Sequence, residues 1–266
     1  MRTVRYRLCD PTGNMTILVT DPVPVSLQPE TALRLMAVEK SAEQVGFLSP
    51  ASDADIALRM AGGEFCGNAS MSAAAVCALS GGLSRGGRRI SVRVSGAAEP
   101  VSADITAIGD GLFSGKVEMP LPESIERISL APEKVPVDAV LVRFSGISHI
   151  VLHGSLRRPA AEAAAKECCS LFGVDALGIM QLGGSGDMTP LVYVPGADTL
   201  FWESSCASGT AASGAAESFL KGESVSLRLR QPGGELTVSS EMSGGRLTRL
   251  CLGGSVRVGS EKSAVV

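Results

Sequence analysis

Aromatic residues and histidines are scarce in this sequence, and their scarcity excludes a class of function. The 266 residues include seven Phe, two Tyr, one Trp and two His. So few aromatic side chains do not supply a platform on which nucleic-acid bases stack. The net charge is −3, from 24 Lys and Arg against 27 Asp and Glu. With no excess of basic residues, we expect neither a nucleic-acid partner nor an anionic membrane partner.

Zinc-binding spacing and uninterrupted apolar runs are also missing. The seven cysteines form no Cys-x-x-Cys pair, the spacing on which zinc ribbons depend. The longest uncharged stretch, 65–84, is interrupted by Asn, Ser and Gly, which favours a buried helix over a membrane span. The first residues, MRTVRYRLCDPTGN, lack the apolar core of an export signal. We therefore expect a cytoplasmic protein with reduced thiols and no bound metal.

The composition is otherwise that of a globular protein. Hydrophobic residues make up 45% of the chain and charged residues 19%, a mixture that can bury a sizeable core. The length allows two compact domains at ~150 residues per domain. Runs such as 15–20 and 90–96 predict strands, whereas 67–80, 158–172 and a segment from Pro29 to about Glu43 predict helices. The mixture indicates an α+β fold.

An internal repeat organises the chain. Phe65-Cys66-Gly67-Asn68-Ala69-Ser70 opens one helix rich in Ala and Ser, and Ser205-Cys206-Ala207-Ser208-Gly209-Thr210 opens another. The two cysteines are 140 residues apart, about half of the chain. This spacing predicts a duplicated domain with one cysteine per copy, the Pro-punctuated stretch 119–136 crossing between the copies. The predicted parts are an N-terminal domain at 1–119, a C-terminal domain at 120–257 and a tail at 258–266.

A cysteine at the start of a helix is placed for proton chemistry. Free N–H groups and the helix dipole favour the thiolate and are expected to lower the thiol pKa below the ~8.5 of free cysteine. The same N–H groups form a site for a carboxylate. If the two copies face one another, one thiolate removes the proton of an α-carbon and the opposite thiol returns one to the other face. The pattern predicts racemisation or epimerisation of a small amino acid with no cofactor. A redox-switch pair of cysteines is the competing interpretation.

Five motifs resemble, in order, those of the diaminopimelate epimerase-like isomerases. They are Thr12-Gly13-Asn14, Glu64-Phe65-Cys66-Gly67-Asn68-Ala69, Gly146-Ile147-Ser148-His149-Ile150-Val151, Cys206-Ala207-Ser208-Gly209-Thr210 and Gln231-Pro232-Gly233-Gly234. Longer stretches, such as Glu43-Gln44-Val45-Gly46-Phe47 and Trp202-Glu203-Ser204-Ser205-Cys206, most resemble the cofactor-independent histidine racemases of opine-type metallophore synthesis. The resemblance implies two pseudo-symmetric domains, each a mostly antiparallel, curled β-sheet around a central helix, with the site at their interface.

The resemblance also implies roles for individual residues. Cys66 and Cys206 would be the two acid/base thiols, His149 would assist the first cysteine, and Glu43 would be an acid in the site. Asn14 would bind or orient the substrate. Backbone N–H groups would hold the substrate's carboxylate; the residues that carry them are Gly67, Asn68, Ala207 and Ser208.

One departure from the family pattern bears on the substrate. Diaminopimelate epimerases carry Glu-Arg-Gly shortly before the second cysteine, whereas residues 195–203 here contain no arginine. The distal carboxylate of diaminopimelate would lose its charge-matched partner, which argues against that substrate. The same departure leaves the acidic partner of Cys206 open between Glu203 and Glu43.

Each of these roles has a non-catalytic alternative. His149 could be a hydrogen-bonded core histidine, Asn14 could serve a turn that needs positive φ, and Glu43 could be a solvated charge. A diaminopimelate-type epimerase, a proline-racemase-like enzyme and a non-catalytic amino-acid-binding protein are the alternative functions. The number of chains in the assembly is left open, a homodimer being one possibility.

Overall fold

The computed structural model describes residues 2–266 and divides the chain into two compact units. The first contains the chain up to Glu118 together with Gly253–Val266, and the second is Met119–Leu252. The division between Glu118 and Met119 falls one residue before the boundary predicted from the sequence. No helix among residues 2–266 is long and apolar enough to cross a membrane.

The first unit is a curled sheet of mostly antiparallel strands. Its strands follow one another across the sheet in chain order from β1 to β7. The last strand of the chain, β16 (Arg246–Val265), lies next to β7 and also pairs with β1, so that the sheet closes on itself. The pairs β2–β3 and β4–β5 are parallel and are connected by helices, as parallel neighbours require. The strands are β1 (Thr3–Pro11), β2 (Thr16–Val19), β3 (Gln44–Ser49), β4 (Ile56–Met60), β5 (Gly86–Val94), β6 (Val101–Gly109) and β7 (Leu112–Glu118), and the helices are α1 (Gln28–Val38) and α2 (Gly67–Ser80).

Helix α2 is the centre of the first unit. It contacts six of the strands, β1, β2, β4, β5, β6 and β7. Eleven of its fourteen residues are buried, so that no face is left for solvent. Only small side chains allow strands to approach a helix from all sides, which explains its run of Ala and Ser. At Gly115 an added methyl group would lie 2.4 Å from Met71 Cγ, a measure of how close β7 comes to the helix.

The second unit repeats this plan. A six-stranded sheet has the order β13-β12-β11-β10-β9-β8 and carries a buried core on the side of α3. Helix α4 packs between the strands β9, β10 and β11 and the hairpin of β14 and β15. The strands are β8 (Ser124–Leu130), β9 (Val137–Phe144), β10 (Ile147–His153), β11 (Leu177–Leu182), β12 (Met188–Val194), β13 (Thr199–Trp202), β14 (Ser226–Gln231), β15 (Gly234–Ser243) and β16 (Arg246–Val265, which ends in the first unit), and the helices are α3 (Arg158–Phe172) and α4 (Ala207–Lys221).

The pairing patterns of the two units confirm the duplication. In the first, β1–β2 is antiparallel, β2–β3 parallel and β3–β4 antiparallel; in the second, β9–β10, β10–β11 and β11–β12 follow the same sequence. Helix α1 connects one parallel pair and α3 the other, and α2 and α4 follow in equivalent places. The α+β class and the two pseudo-symmetric domains are therefore confirmed.

Two segments differ from the sequence prediction. The stretch 119–136, expected only to cross between domains, contains β8, which pairs with β9 from Ser124 to Leu130. The segment 258–266 was expected as a tail, but its residues 258–265 belong to β16, which pairs with β1 in the first unit. Both strands form by pairing with partners elsewhere in the chain, and local patterning does not report such pairing.

Candidate active site

Cys66 is the N-cap of helix α2. Its backbone is extended, with φ −136° and ψ 115°, and its Sγ accepts the N–H of Ala69 at 3.4 Å. Its carbonyl oxygen accepts both the N–H of Ser70, at 2.9 Å, and the Ser70 hydroxyl, at 2.7 Å. The sulfur is thus held at the positive end of the helix, beside the first N–H groups, which have no acceptor within a helix.

Cys206 caps helix α4 in the same way. Its φ and ψ are −118° and 107°, and its Sγ accepts the N–H of Gly209 at 3.3 Å. Its carbonyl accepts the Thr210 N–H at 3.0 Å and the Thr210 hydroxyl at 2.7 Å. The match with the cap at Cys66 extends to the bonded atoms, so the repeated sequence motif encodes one repeated local structure.

Gln231 holds the second cap in place. Its Oε1 accepts the backbone N–H of Cys206 at 2.8 Å, and its Nε2 donates to Thr210 Oγ1 at 2.9 Å. Gly233 N–H also donates to the Ser204 carbonyl at 2.7 Å. The Gln-Pro-Gly-Gly turn therefore fixes the backbone around the second cysteine.

Around Cys66, polar side chains form a connected chain of hydrogen bonds. Gln44 Oε1 accepts from Cys66 Sγ at 3.2 Å, and Gln44 Nε2 donates to Asn14 Oδ1 at 2.5 Å and to Thr16 Oγ1 at 2.8 Å. Asn14 Nδ2 donates to Glu43 Oε2 at 2.7 Å. The structure therefore connects Asn14 and Glu43 to the first cysteine through Gln44, a residue that the sequence analysis did not select.

The turn before Asn14 has an unusual backbone. Thr12 and Gly13 have φ of 58° and 83°, and Gly13 N–H donates to Asp10 Oδ1 at 2.6 Å. Asn14 is not among the residues with positive φ. The turn's left-handed positions are thus filled by Thr12 and Gly13, which leaves the buried Asn14 side chain for the hydrogen bonds described above.

Burial reverses the expected direction of the cysteine pKa values. It raises the pKa of Cys66 to about 11, against the opposing N–H of Ala69. It also raises the pKa of Cys206 well above its ordinary value, and the charge and hydrogen bond of Glu203 add to the shift. The prediction that the helix ends lower both values is wrong for the protein without substrate, because the loss of solvation outweighs the helix terminus.

Of the two candidate acids, Glu203 is the one bonded to Cys206. Glu43 bonds to Asn14 in the other unit. Partial burial raises the pKa of Glu43, while the hydrogen bond from Asn14 opposes the shift. The two thiols thus have different polar neighbours: the Gln44 amide oxygen at Cys66, and the Glu203 carboxylate and the Ser208 hydroxyl, 3.7 Å from Sγ, at Cys206.

His149 lies on β10, in the second unit, and is wholly buried. Within the described part of the chain neither ring nitrogen has a hydrogen-bond partner, and burial lowers its pKa to about 3. The ring fits because β11 carries a glycine beside it: a methyl group added at Gly178 would lie 2.2 Å from Nδ1. Phe144 meets the ring edge-on at 6.3 Å between centroids. The imidazole is therefore neutral in this environment. It is not the hydrogen-bonded core histidine that the sequence analysis gave as the non-catalytic alternative.

Two more polar atoms near the cysteines have no partner among residues 2–266. They are Asn68 Oδ1, two residues after Cys66, and Ser205 Oγ, immediately before Cys206. Both residues are almost fully buried, at 2% and 1% exposure. A buried polar atom without a partner costs about 1–3 kcal/mol, so each is suited to receive a polar ligand.

Comparisons with known proteins identify the family. The family model of the histidine racemase CntK N-terminal domain matches residues 3–264. The chain belongs to this histidine racemase family. A histidine racemase of Fusobacterium nucleatum is 34% identical over 213 residues, covering 77% of this chain and 78% of the relative. A histidine racemase of Staphylococcus aureus is 28% identical over 250 residues, covering 90% and 89%.

The fold is also found among solved structures. A hydroxyproline epimerase from Agrobacterium vitis, with bound trans-4-hydroxy-L-proline, superposes with a TM-score of 0.69 at 13% identity, covering 99% of this chain and 91% of that one. The family shows that the protein is an isomerase, an amino-acid racemase.

The predicted site residues of this family member fall into two groups. The first unit holds Asn14, Glu43, Cys66, Gly67 and Asn68, and the second holds His149, Glu203, Cys206, Ala207 and Ser208. Met180 lies close to both His149 and Cys206. A methyl group on Gly178 would meet His149 Nδ1 at 2.2 Å and Met180 Cε at 2.8 Å, and one on Gly209 would meet Met180 Sδ at 2.1 Å and Cys206 Sγ at 3.1 Å.

Two glutamines that contact the caps were missed from the sequence. Gln44 directly follows Glu43, and Gln231 opens the Gln-Pro-Gly-Gly motif, so both were inside stretches already compared with the family. The signal that could have found them is a glutamine at the end of a strand, at the first position of β3 for Gln44 and at the last position of β14 for Gln231.

Proposed function

We propose that the protein racemises histidine by a two-cysteine mechanism. The observation that carries the proposal is the repeated cap: in each unit a cysteine begins the central helix, with its sulfur bonded to the third N–H of that helix. A reaction that treats both faces of one carbon alike needs two acid/base groups of the same kind. The proposal requires that both sulfur atoms reach the substrate's α-carbon, from opposite faces.

The chemistry follows from the protonation states of the two thiols. The thiolate of one cysteine takes the α-proton, and the electron pair of the broken C–H bond spreads into the carboxylate. The thiol of the other cysteine then gives its proton to the opposite face, so that each sulfur ends in the state in which the other began. N–H groups of the first helical turns, at Gly67 and Asn68 and at Ala207 and Ser208, would stabilise the carboxylate's growing charge.

Because both thiol pKa values are raised, the bound substrate would help to ionise the cysteine that acts as the base. Without substrate, burial favours the neutral thiol at both caps. The substrate's α-ammonium brings a positive charge close to the sulfur, and an opposite charge within a few ångström favours the thiolate. The base would thus form where a substrate is bound.

Histidine is supported by the relatives and by one difference from diaminopimelate epimerases. The relatives at 34% and 28% identity are histidine racemases. Residues 195–203 offer no arginine to a second substrate carboxylate. A racemase of this kind needs reduced cysteines, and all seven are free thiols here, so we place it in a reducing, cytoplasmic compartment.

The test follows α-proton exchange. L-histidine in D₂O, with a reductant and no added cofactor, is expected to lose its α-proton signal in NMR and its optical activity. Cys66→Ser and Cys206→Ser should each reduce the rate by several orders of magnitude. Cys77→Ser is the matched control, because Cys77 lies on the same helix as the first cap but eleven residues away. If no common amino acid exchanges, the proposal is wrong, and binding without exchange would indicate an amino-acid-binding protein.

A further inference from the structure

We propose that Phe201 is the wall against which the imidazole of a bound histidine packs. The inference rests on the proposed function and deepens it, because it names a residue that recognises the substrate's side chain. It is carried by an exposed aromatic ring that the register of the second sheet places beside Glu203, the carboxylate bonded to Cys206.

The alternation of side chains along β13 fixes the face on which Phe201 lies. Trp202 packs against the core on the side of α3, and its Nε1–H donates to Glu162 Oε1 on that helix at 2.8 Å. Glu203 continues the pairing of β13, since its N–H donates to the Pro190 carbonyl at 3.0 Å. Successive side chains of a strand point to opposite faces, so Phe201 and Glu203 share the face opposite to α3.

Phe201 is also the outer member of a row of residues that are paired across four neighbouring strands of the sheet. From β10 to β13 the row is His149, Gly178, Val192 and Phe201. Paired residues project from the same face of a sheet, so these four lie side by side. His149 is wholly buried and Val192 is 7% exposed, whereas Phe201 is 58% exposed. The row is therefore packed at its inner end and open at the end next to Glu203.

The next row brings the same face to the second cysteine. Met180, which lies close to Cys206, pairs with Pro190, and the Pro190 carbonyl accepts the N–H of Glu203. The backbones of Glu203 and Phe201 are about 6.6 Å apart, since a strand rises about 3.3 Å per residue. An amino acid whose α-carbon lies at the Cys206 sulfur can therefore reach the Phe201 ring with a side chain of a few atoms.

The neighbouring tryptophan holds the strand in this position. The Arg158 guanidinium lies over the Trp202 ring, with 4.9 Å from Cζ to the ring centroid, and the bond to Glu162 holds the indole from its edge. Because β13 is the outer strand of its sheet, only β12 and this packing fix its place. The two aromatic residues thus have separate tasks: Trp202 attaches the strand to α3, and Phe201 is left for a ligand.

An aromatic wall suits an imidazole in either charge state. Neutral aromatic rings pack in offset or edge-on pairs, and an imidazolium cation is attracted to the face of a phenyl ring. Covering the exposed ring also removes apolar surface from water, which favours binding. The wall would therefore favour an amino acid that carries a ring over one with a short side chain.

The first experiment measures affinity by isothermal titration calorimetry with racemic histidine and a reductant. A racemic ligand is used because turnover does not change its composition. In Phe201→Ala the Kd should rise about tenfold, and in Phe201→Leu, which keeps apolar area without the ring, by roughly threefold. Phe201→Tyr keeps the ring and should bind within about twofold of wild type.

The second experiment separates binding from chemistry. In α-proton exchange of L-histidine, Phe201→Ala should raise KM by about the same factor as Kd and change kcat much less, because the wall contacts the side chain before and after the proton moves. Fluorescence of Trp202, the single tryptophan, reports whether β13 keeps its place on α3 in each variant.

Phe219→Ala is the matched control. Phe219 is the other phenylalanine with a largely exposed side chain, at 38%, and it lies in the last turn of α4. That position is roughly 18 Å along the helix from the Cys206 cap, at 1.5 Å per residue. The control should keep the wild-type Kd and KM.

Two outcomes would overturn the wall. One is an unchanged Kd in Phe201→Ala. The other is a loss of affinity that Phe201→Tyr does not restore, or a fall in kcat with altered Trp202 emission, which would make Phe201 a structural part of β13. Histidine binding without α-proton exchange in the wild type would instead reject the two-cysteine reaction, so the two failures are distinguishable.

Discussion

Replacing His149 by leucine should make the protein less sensitive to acid. The imidazole is wholly buried, with neither nitrogen bonded within residues 2–266, and burial lowers its pKa to about 3 from an ordinary 6.5. Between these values the unfolded chain binds a proton that the folded chain does not. Folding stability is therefore complete above the ordinary pKa and falls as the pH drops toward 3.

The size of the effect follows from the same two values. At pH 5 the unfolded imidazole is about 1.5 units below its ordinary pKa, which corresponds to about 2 kcal/mol of stability lost relative to neutral pH. His149→Leu removes this contribution and also removes two buried polar atoms without partners. We therefore expect the variant to match or exceed the wild-type free energy of unfolding at pH 7, by about 1 kcal/mol at most.

Urea unfolding at pH 7 and pH 5 measures both quantities. The matched control is His153→Gln, since His153 is the chain's other histidine, exposed and bonded to Glu217. The control should keep the wild-type loss between the two pH values, whereas His149→Leu should lack about 2 kcal/mol of it. An equal loss in His149→Leu and wild type would refute the reasoning. Reduced exchange at pH 7 in the stable variant would separately indicate a part for the imidazole in catalysis.

Three further variants test the second cap. Gly209→Ala places a methyl group 2.1 Å from Met180 Sδ and 3.1 Å from the Cys206 sulfur, so we expect about 1–3 kcal/mol of destabilisation in urea and a clear fall in kcat. Gly214 lies on the same helix as Gly209, and Gly214→Ala places its methyl group 2.4 Å from Val238 Cγ2. This variant should lose a similar amount of stability, while its α-proton exchange per folded molecule stays normal. Gln231→Leu leaves the buried N–H of Cys206 without its acceptor. It should lower the free energy of unfolding by about 2 kcal/mol and should also lower kcat. An unchanged kcat would mean that the cap does not position the sulfur.

The sequence predicted the bounds of those helices that have a capping residue or a proline or glycine at both ends. The predicted bounds 67–80 and 158–172 agree with α2 and α3, whose ends are marked by Cys66 and Gly81 and by Pro159 and Gly173. Helix α1 was expected to reach about Glu43 but ends at Val38. Its end is set by Glu39, which accepts from Tyr6 Oη and from Lys262 Nζ, both at 2.7 Å. Those partners lie on strands distant in sequence, so no pattern near residue 39 predicts where the helix ends.

The residues of the candidate site also divide into those that a local pattern predicts and those whose contacts depend on strand pairing distant in sequence. The cysteines and the small residues behind them were predictable because a cap and its free N–H groups are contiguous in sequence. The chain from Glu43 to Cys66 was not, because its hydrogen bonds depend on the parallel pairing that sets Thr16 opposite Gln44. The pKa direction failed for a related reason: a helix terminus is visible in a sequence, whereas the burial of Cys66 depends on how strands enclose α2.

The two caps show what duplication keeps and what it changes. Both caps have a sulfur that accepts the third N–H of the helix and a carbonyl that accepts a hydroxyl, but the polar neighbours differ: Gln44 at Cys66, and Glu203 and Ser208 at Cys206. The two thiols therefore differ in the free energy needed to lose a proton. In a racemase this difference cannot favour one product, because enantiomers have equal free energies in solution and the ratio of kcat/KM in the two directions must be unity. Different neighbours can only redistribute free energy among the free and bound forms, which changes kcat and KM together for each enantiomer. An asymmetric pair of thiols is thus compatible with a symmetric reaction, and its effect lies in which enantiomer saturates the enzyme first.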